Sequence, residues 1–159
     1  MTSNLARARW IALLLPAALL AGALGSQFIG GLFPCEMCHW QRWPHYAAVA
    51  IALAAFAMAK QPPVSRGLVI LAGLAILVSG GIGVFHAGVE YHWWQGFTTC
   101  TQVLAGGSGE DILARIMKTP LIRCDTAQWS LGGISLAGFN AIFSILGGAA
   151  VLALASRRR

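Results

Sequence analysis

The chain has 159 residues, of which 57% are hydrophobic and only 10% charged, and its formal net charge is +6. A soluble domain carries roughly 25% charged residues, so this composition excludes an ordinary soluble protein and points to the membrane. The basic residues flank apolar runs, which calls for a lipid bilayer as partner and for no nucleic acid.

A spanning helix needs about 20 mostly apolar residues. Four stretches qualify: 10–31, 43–59, 67–87 and 133–155. The expected fold is an all-α integral membrane protein. It forms one membrane domain over 1–159, a four-transmembrane-helix bundle with outer loops at 32–42 and 88–132.

Arg7 and Arg9 precede the first run, and with Ala23-Leu24-Gly25 the segment resembles a cleavable signal peptide. The apolar run continues to Phe33, interrupted mainly by Gln27, so a retained helix is expected. The loop that follows reads Pro34-Cys35-Glu36-Met37-Cys38-His39-Trp40-Gln41-Arg42. Pro44 favours the first turn of a helix and places the start of the second span near Trp43. Pro62-Pro63 marks the turn between the second and third spans, because tandem prolines stop a helix.

The third span carries Gly73, Gly80, Gly81 and Gly83, which permit close helix packing. Gly80-Gly81-Ile82-Gly83 is also a place where a break would open space for a ligand. His86 and Glu90 lie four apart at its outer end. In the long loop, 98–101 and 106–109 read as flexible chain, and 111–118 as one short helix lying flat on the membrane. Cys100 and Cys124 flank that helix, and a bridge between them would close about 25 residues and stabilise by roughly 3–4 kcal/mol. The last span ends in Arg157–Arg159.

Arg7, Arg9, Lys60, Arg66 and Arg157–Arg159 fall on one side of the four spans, seven against four for Arg42, Arg115, Lys118 and Arg123. All acidic residues lie on the second side. The positive-inside rule then places both termini in the cytoplasm and both cysteine loops outside, where disulfides persist. The six tryptophans sit at or just beyond span ends, as an aromatic belt requires.

Thiolate is the reactive form of cysteine. Cys38 near a helix start would feel the positive end of the helix dipole, and Arg42 is one turn further on. Both lower the expected pKa of Cys38, although the helix start implied by Pro44 leaves their proximity open. Arg42 either snorkels to headgroups or binds a ligand oxygen, and its spacing from Cys38 favours the ligand. His86 is a candidate for lining the reactive pocket. His39, His45 and His92 rank below it.

Taken together, Pro34-Cys35-x-x-Cys38, Gln41-Arg42, four helices, the Cys100 and Cys124 pair, and Gln128-Trp129 before the last span resemble the DsbB family of bacterial disulfide bond formation proteins. The resemblance implies a thiol:quinone oxidoreductase of the bacterial inner membrane, with its redox loops in the periplasm. Its partner would be DsbA-like, a periplasmic dithiol oxidase of thioredoxin fold, and its cofactor ubiquinone or menaquinone. Cys100 would form the mixed disulfide with the partner, and Cys124 would be its bridge partner. The Cys35–Cys38 disulfide would reoxidise that pair. Cys38 would face the quinone in a charge-transfer contact or adduct, and Arg42 would bind and polarise it. Gln41 departs from the glutamate common in well-known members, so no charge-dependent role falls to it.

Three other readings compete. Cys35-x-x-Cys38-His39 matches the attachment motif of c-type haem, but the loop is too short to wrap one. Cys35, Cys38 and two histidines have zinc-ligand chemistry, although outside the cytoplasm disulfides are the commoner fate. Two structural disulfides without turnover would resist reduction, unlike catalytic ones. The four cysteines allow three pairings, including an inter-pair Cys35–Cys124 or Cys38–Cys100 intermediate.

Overall fold

The structure is a computed structural model that describes residues 3–96 and 123–157. Cys100, Arg115, Lys118 and the expected helix at 111–118 lie outside the described residues. Among the described residues there are four long helices: α1 (Ser3–Phe28), α2 (Glu36–Ala57), α3 (Pro62–Glu90) and α4 (Leu136–Ser156). α1, α3 and α4 are each long and apolar enough to cross a membrane. The helices form a ring in chain order. α3 packs chiefly on α2 and α4, and α1 on α2 and α4. Consecutive helices joined by short connections run antiparallel, which is the up-down arrangement of a helix bundle.

The helix limits differ from the sequence expectation for local reasons. α1 begins at Ser3 rather than near Trp10, so Arg7 and Arg9 are helical. The Arg9 guanidinium lies over the Phe56 ring, 5.5 Å from its centroid. α2 begins at Glu36, well before the expected Trp43. Pro44 lies inside it and removes one backbone donor, a loss that membrane helices tolerate where neighbouring side chains hold the segment. α3 takes Pro62 and Pro63 as its first residues, where a missing N–H costs no helical bond. The prolines thus start α3 as well as ending α2.

Glycine permits the close approach of α3 to α4. A Cβ on Gly83 would meet the backbone N of Ala141 at 3.0 Å, and one on Gly80 would meet Ile145 Cγ1 at 2.9 Å. α3 continues unbroken through this run, so these glycines bring α4 close rather than opening a gap. The C-terminus of α3 is closed by His92 with φ of 59°. The N–H groups of His92 and Trp93 bond back to the Val89 and Gly88 carbonyls, a Schellman arrangement with histidine in the usual glycine position.

Before α4 the chain forms a two-stranded antiparallel hairpin, β1 (Ser130–Leu131) and β2 (Ile134–Ser135). Gly132 and Gly133 both have positive φ, as a two-residue hairpin turn of this hand requires. Ser135 then caps α4, its hydroxyl accepting from the Gly138 N–H. Tyr91 donates its hydroxyl to the Gly133 carbonyl and so pins the hairpin to the end of α3.

The interior has three levels. At the end holding Leu5, Ala12, Ala55, Val69 and Val151, small apolar residues pack the helices closely. At the other end Cys35, Met37, Val89 and Cys124 form a second buried cluster. Between them lies a buried polar layer of Gln41, His45, Ser79, His86 and Ser144.

Candidate redox site

Cys35 is the N-cap of α2, with its sulfur accepting from the Cys38 N–H at 3.3 Å. Sulfur is a weak acceptor compared with the oxygens usually found at this position, so the cap alone does not account for a cysteine here. The geometry does put Cys38 in the first turn, where free N–H groups favour a thiolate. The Sγ atoms of Cys35 and Cys38 are 2.8 Å apart, and the three described cysteines carry free thiols.

Cys124 joins the cluster from the far side of the chain. It is fully buried and its sulfur hydrogen-bonds with Cys35. Gln128 donates to the Phe33 carbonyl at 2.6 Å and ties this segment to the loop before α2. Arg123 grips Asp125 through two N–H donors at 2.8 and 2.6 Å, one residue either side of Cys124. That guanidinium holds the Asp125 carboxyl below its ordinary range. The Cys35 thiol is pushed up, first by its bond with Cys124, then by Cys38 and by burial.

His86 stands behind the sulfurs, with Nε2 3.5 Å from Cys35 Sγ and 3.7 Å from Glu90 Oε1. It also bonds the Cys124 backbone. Its proton position follows from its neighbours. Gln41 Nε2 donates to the Met37 carbonyl at 3.2 Å, which fixes the amide orientation because a carbonyl only accepts. The same Nε2 meets His86 Nδ1 at 2.7 Å, so Nδ1 accepts and the imidazole proton sits on Nε2, toward the sulfurs. A carboxylate at position 41 could donate to neither acceptor, so the neutral amide has a physical use here.

Arg42 is buried and turned inward, not out to headgroups. Its guanidinium donates to Gln27 Oε1 at 2.6 Å and to the Ala23 carbonyl at 3.1 Å, both on α1. These contacts set its direction while leaving further N–H donors for a ligand. Cys38, Gln41, Arg42, His45 and His86 border one cavity of about 200 Å³. Its other walls are mainly apolar, including Leu19 and Leu20 of α1 and Leu136 and Phe139 of α4. Cys35 is not among the lining residues.

Of the expected site residues, Cys35, Cys38, Arg42, His86 and Cys124 are therefore brought together, and Cys100 lies outside the described residues. His45, which ranked below His86, also borders the cavity, as does Asn140, which was not expected. His45 Nε2 is 2.9 Å from Asn140 Oδ1, and Asn140 Nδ2 donates to Gln41 Oε1 at 2.8 Å. His45 follows Cys38, Gln41 and Arg42 at one-helix-face spacing, a signal visible once α2 starts at Glu36. Cys35, Cys38 and His86 hold three potential metal donors within 4.8 Å, against the four ligands of a closed structural zinc site. His39, which a haem attachment would use, is exposed and does not border the cavity.

Comparison with known proteins points one way. The family model described as "Disulfide bond formation protein DsbB" matches residues 6–154. A Polaromonas protein named Disulfide bond formation protein B is 35% identical over 137 residues, covering 77% of this chain and 74% of its own length. A protein of the same name from Marinobacter nauticus is 29% identical over 147 residues, 85% of this chain and 84% of its own. Another, from Aromatoleum aromaticum, is 29% identical over 151 residues, 90% of this chain and 87% of its own. No solved structure matches.

Proposed function

The chain belongs to the DsbB family of disulfide bond formation proteins, and on that premise we propose that it is a membrane thiol:quinone oxidoreductase. It reoxidises a periplasmic DsbA-like protein and passes the electrons to ubiquinone or menaquinone. The observation that carries this reading is the division between the sulfurs. Cys38 borders the cavity beside Arg42, whereas Cys35 touches both Cys38 and Cys124.

The exchange steps balance without any other oxidant. A thiolate of the reduced partner attacks Cys100 of a Cys100–Cys124 disulfide and Cys124 leaves as thiolate. The partner's second thiol then closes its own disulfide and frees Cys100. Cys124 attacks Cys35 of the Cys35–Cys38 disulfide, and Cys38 leaves as the thiolate at the cavity wall. Cys100 resolves the Cys35–Cys124 bond, so that both thiols of the inner pair are reduced. A quinone, when bound, accepts two electrons and two protons, and the Cys35–Cys38 disulfide re-forms.

The residues present fit such a group. The apolar walls suit a ring, and Arg42 supplies donors that no physiological pH removes, suited to an oxygen gaining negative charge. α1 positions that guanidinium through Gln27 and Ala23. His86 directs its Nε2–H toward the sulfur cluster, where it steadies a thiolate released at Cys35. A DsbA-type partner at about −120 mV is itself a strong oxidant, which requires an acceptor of still higher potential such as a quinone.

In the membrane, α2 makes the fourth crossing despite Gln41, Arg42 and His45, because those side chains turn inward to α1, α3 and α4. Both termini are cytoplasmic by the distribution of Lys and Arg, and the cysteine loops are periplasmic in the bacterial inner membrane. The test is quinone consumption by purified protein supplied with a reduced DsbA-type dithiol. One quinone lost per partner disulfide formed supports the reading, and partner oxidation without quinone loss contradicts it.

A further inference from the structure

Reduction of a buried disulfide leaves negative charge on sulfur, and the surroundings must hold it. Glu90 ends α3 beside the sulfur cluster, and no step of the exchange uses it. Its side chain is only 8% exposed, and Oε2 is buried with no hydrogen-bond partner among the described residues. Few groups face this carboxyl. On its own helix, His86 Nε2 is 3.7 Å from Oε1. The Ser135 hydroxyl of β2 accepts the Gly138 N–H and donates to the carboxyl. Cys38 of α2 and Cys124 lie within electrostatic reach. Among the described residues no lysine or arginine pairs with Glu90, since Arg123 is held by Asp125.

Two features couple Glu90 to the sulfurs. The Nε2–H of His86 is a single donor between Cys35 Sγ at 3.5 Å and Glu90 Oε1 at 3.7 Å, with the Cys124 backbone as a third partner. A thiolate in the cluster draws that hydrogen and takes it from the carboxyl. Gln41 fills Nδ1, so His86 has no free position for a further proton. The second feature is the state of Glu90 when the described cysteines are thiols, because Oε2 then accepts nothing. A buried carboxylate with one oxygen left bare costs more than the neutral acid in the same place.

We propose that Glu90 takes up a proton when the Cys35–Cys38 disulfide is reduced and releases it when the disulfide re-forms, so that Cys38 and Glu90 hold a single negative charge in turn. The inference rests on the reading above only for the cycling of Cys35 and Cys38. A reducing dithiol gives up two electrons and two protons as it closes its own disulfide. They convert the Cys35–Cys38 disulfide and ionised Glu90 into a Cys35 thiol, a Cys38 thiolate and neutral Glu90. One negative charge stands before and after, which spares the buried site two adjacent anions. With the disulfide closed, the His86 and Ser135 donors are free to serve the carboxylate. Reoxidation returns both electrons and both protons, the number a quinone accepts.

The measurement is the equilibrium potential of the Cys35–Cys38 couple against pH around neutrality. The full-length chain in detergent, freed of quinone, is equilibrated with dithiol buffers of known potential and alkylated. Mass spectrometry of the peptide holding both cysteines gives the oxidised fraction. Each proton taken up by a two-electron couple shifts its potential by about 30 mV per pH unit. The expected slope is about 60 mV per pH unit in the parent and about 30 mV in Glu90→Gln. A parent slope of about 30 mV would overturn the proposal. So would about 60 mV in both proteins, because the second proton then sits on Cys38. A parent pair that dithiols fail to reduce would overturn the redox reading and this inference with it. Should Glu90→Gln fold poorly, infrared difference spectroscopy of the parent decides. Reduction must add a deuterium-sensitive carboxylic acid band, and its absence refutes the proposal.

Discussion

Replacing Asn140 with leucine removes the joint of the polar layer while keeping the branched shape and heavy-atom count of the side chain. Gln41 Oε1 is stranded, losing its donor at 2.8 Å, while the His45 Nε2–H loses the Asn140 acceptor at 2.9 Å and keeps the Ser79 hydroxyl at 2.9 Å. An unsatisfied buried polar group costs roughly 1–3 kcal/mol, which is the range set by Gln41 Oε1. Hydrogen bonds between membrane helices average nearer 0.6 kcal/mol each, which sets a floor of about 1 kcal/mol for the two. Gln41 and His45 are 6% and 3% exposed, so solvent cannot easily replace Asn140, and the upper estimate governs. With the lost His45 bond added and part of the total recovered by apolar packing of leucine, the expected loss is about 1–3 kcal/mol. Reversible unfolding in mixed micelles measures it. Ser156→Ala is the control, since its hydroxyl bond to Leu152 is exposed, and a change within about 0.5 kcal/mol is expected there. A loss below about 1 kcal/mol for Asn140→Leu would refute a closed, water-excluded network.

Four further outcomes follow from particular contacts. Gly83→Ala drives a Cβ against the Ala141 backbone and should cost about 1–3 kcal/mol, whereas Gly81→Ala meets nothing within 4 Å and should be neutral or slightly stabilising in the same unfolding assay. Arg42→His should raise the apparent KM for quinone about tenfold or more and leave the KM for the partner unchanged, by steady-state kinetics; equal effects would remove Arg42 from the quinone. In the reduced protein the raised Cys35 pKa means that its thiolate appears only above the ordinary cysteine range near pH 8.5. Alkylation followed by mass spectrometry should therefore label Cys38 first at neutral pH, with Cys35 labelling still rising above pH 9 or so. Gln41→Glu cannot donate to Met37 or His86 as a carboxylate, and should lower both stability and the rate of Cys35–Cys38 reoxidation, read by unfolding and stopped-flow.

The sequence spoke clearly where composition or spacing is itself the physical cause. Apolar length reveals the helices, and the four-residue step from Cys38 to Arg42 is one helical turn. What it hid depended on one boundary. With Pro44 taken as a helix start, Cys38, Gln41, Arg42 and His45 appear to straddle a loop and a span. With Cys35 as the cap they form a stripe on a single helix face, and His45 belongs to the site. Asn140 was out of reach for a different reason, because nothing local to α4 says that it faces the diagonal helix α2. The hairpin was missed although Gly132-Gly133 between Leu131 and Ile134 is a recognised turn signal. The contact of Cys124 with Cys35 bridges residues far apart in sequence, and no periodicity encodes it.

The central claim is that Cys38 delivers electrons to a quinone held in the cavity beside Arg42. A single-turnover experiment tests it most directly: protein reduced at Cys35 and Cys38, freed of reductant, is mixed anaerobically with quinone and followed at the quinone absorbance band. The account predicts one quinone consumed per protein with a Cys35–Cys38 disulfide formed, and none consumed by Cys38→Ser. Quinone loss that persists in Cys38→Ser, or a disulfide formed without quinone loss, would contradict it.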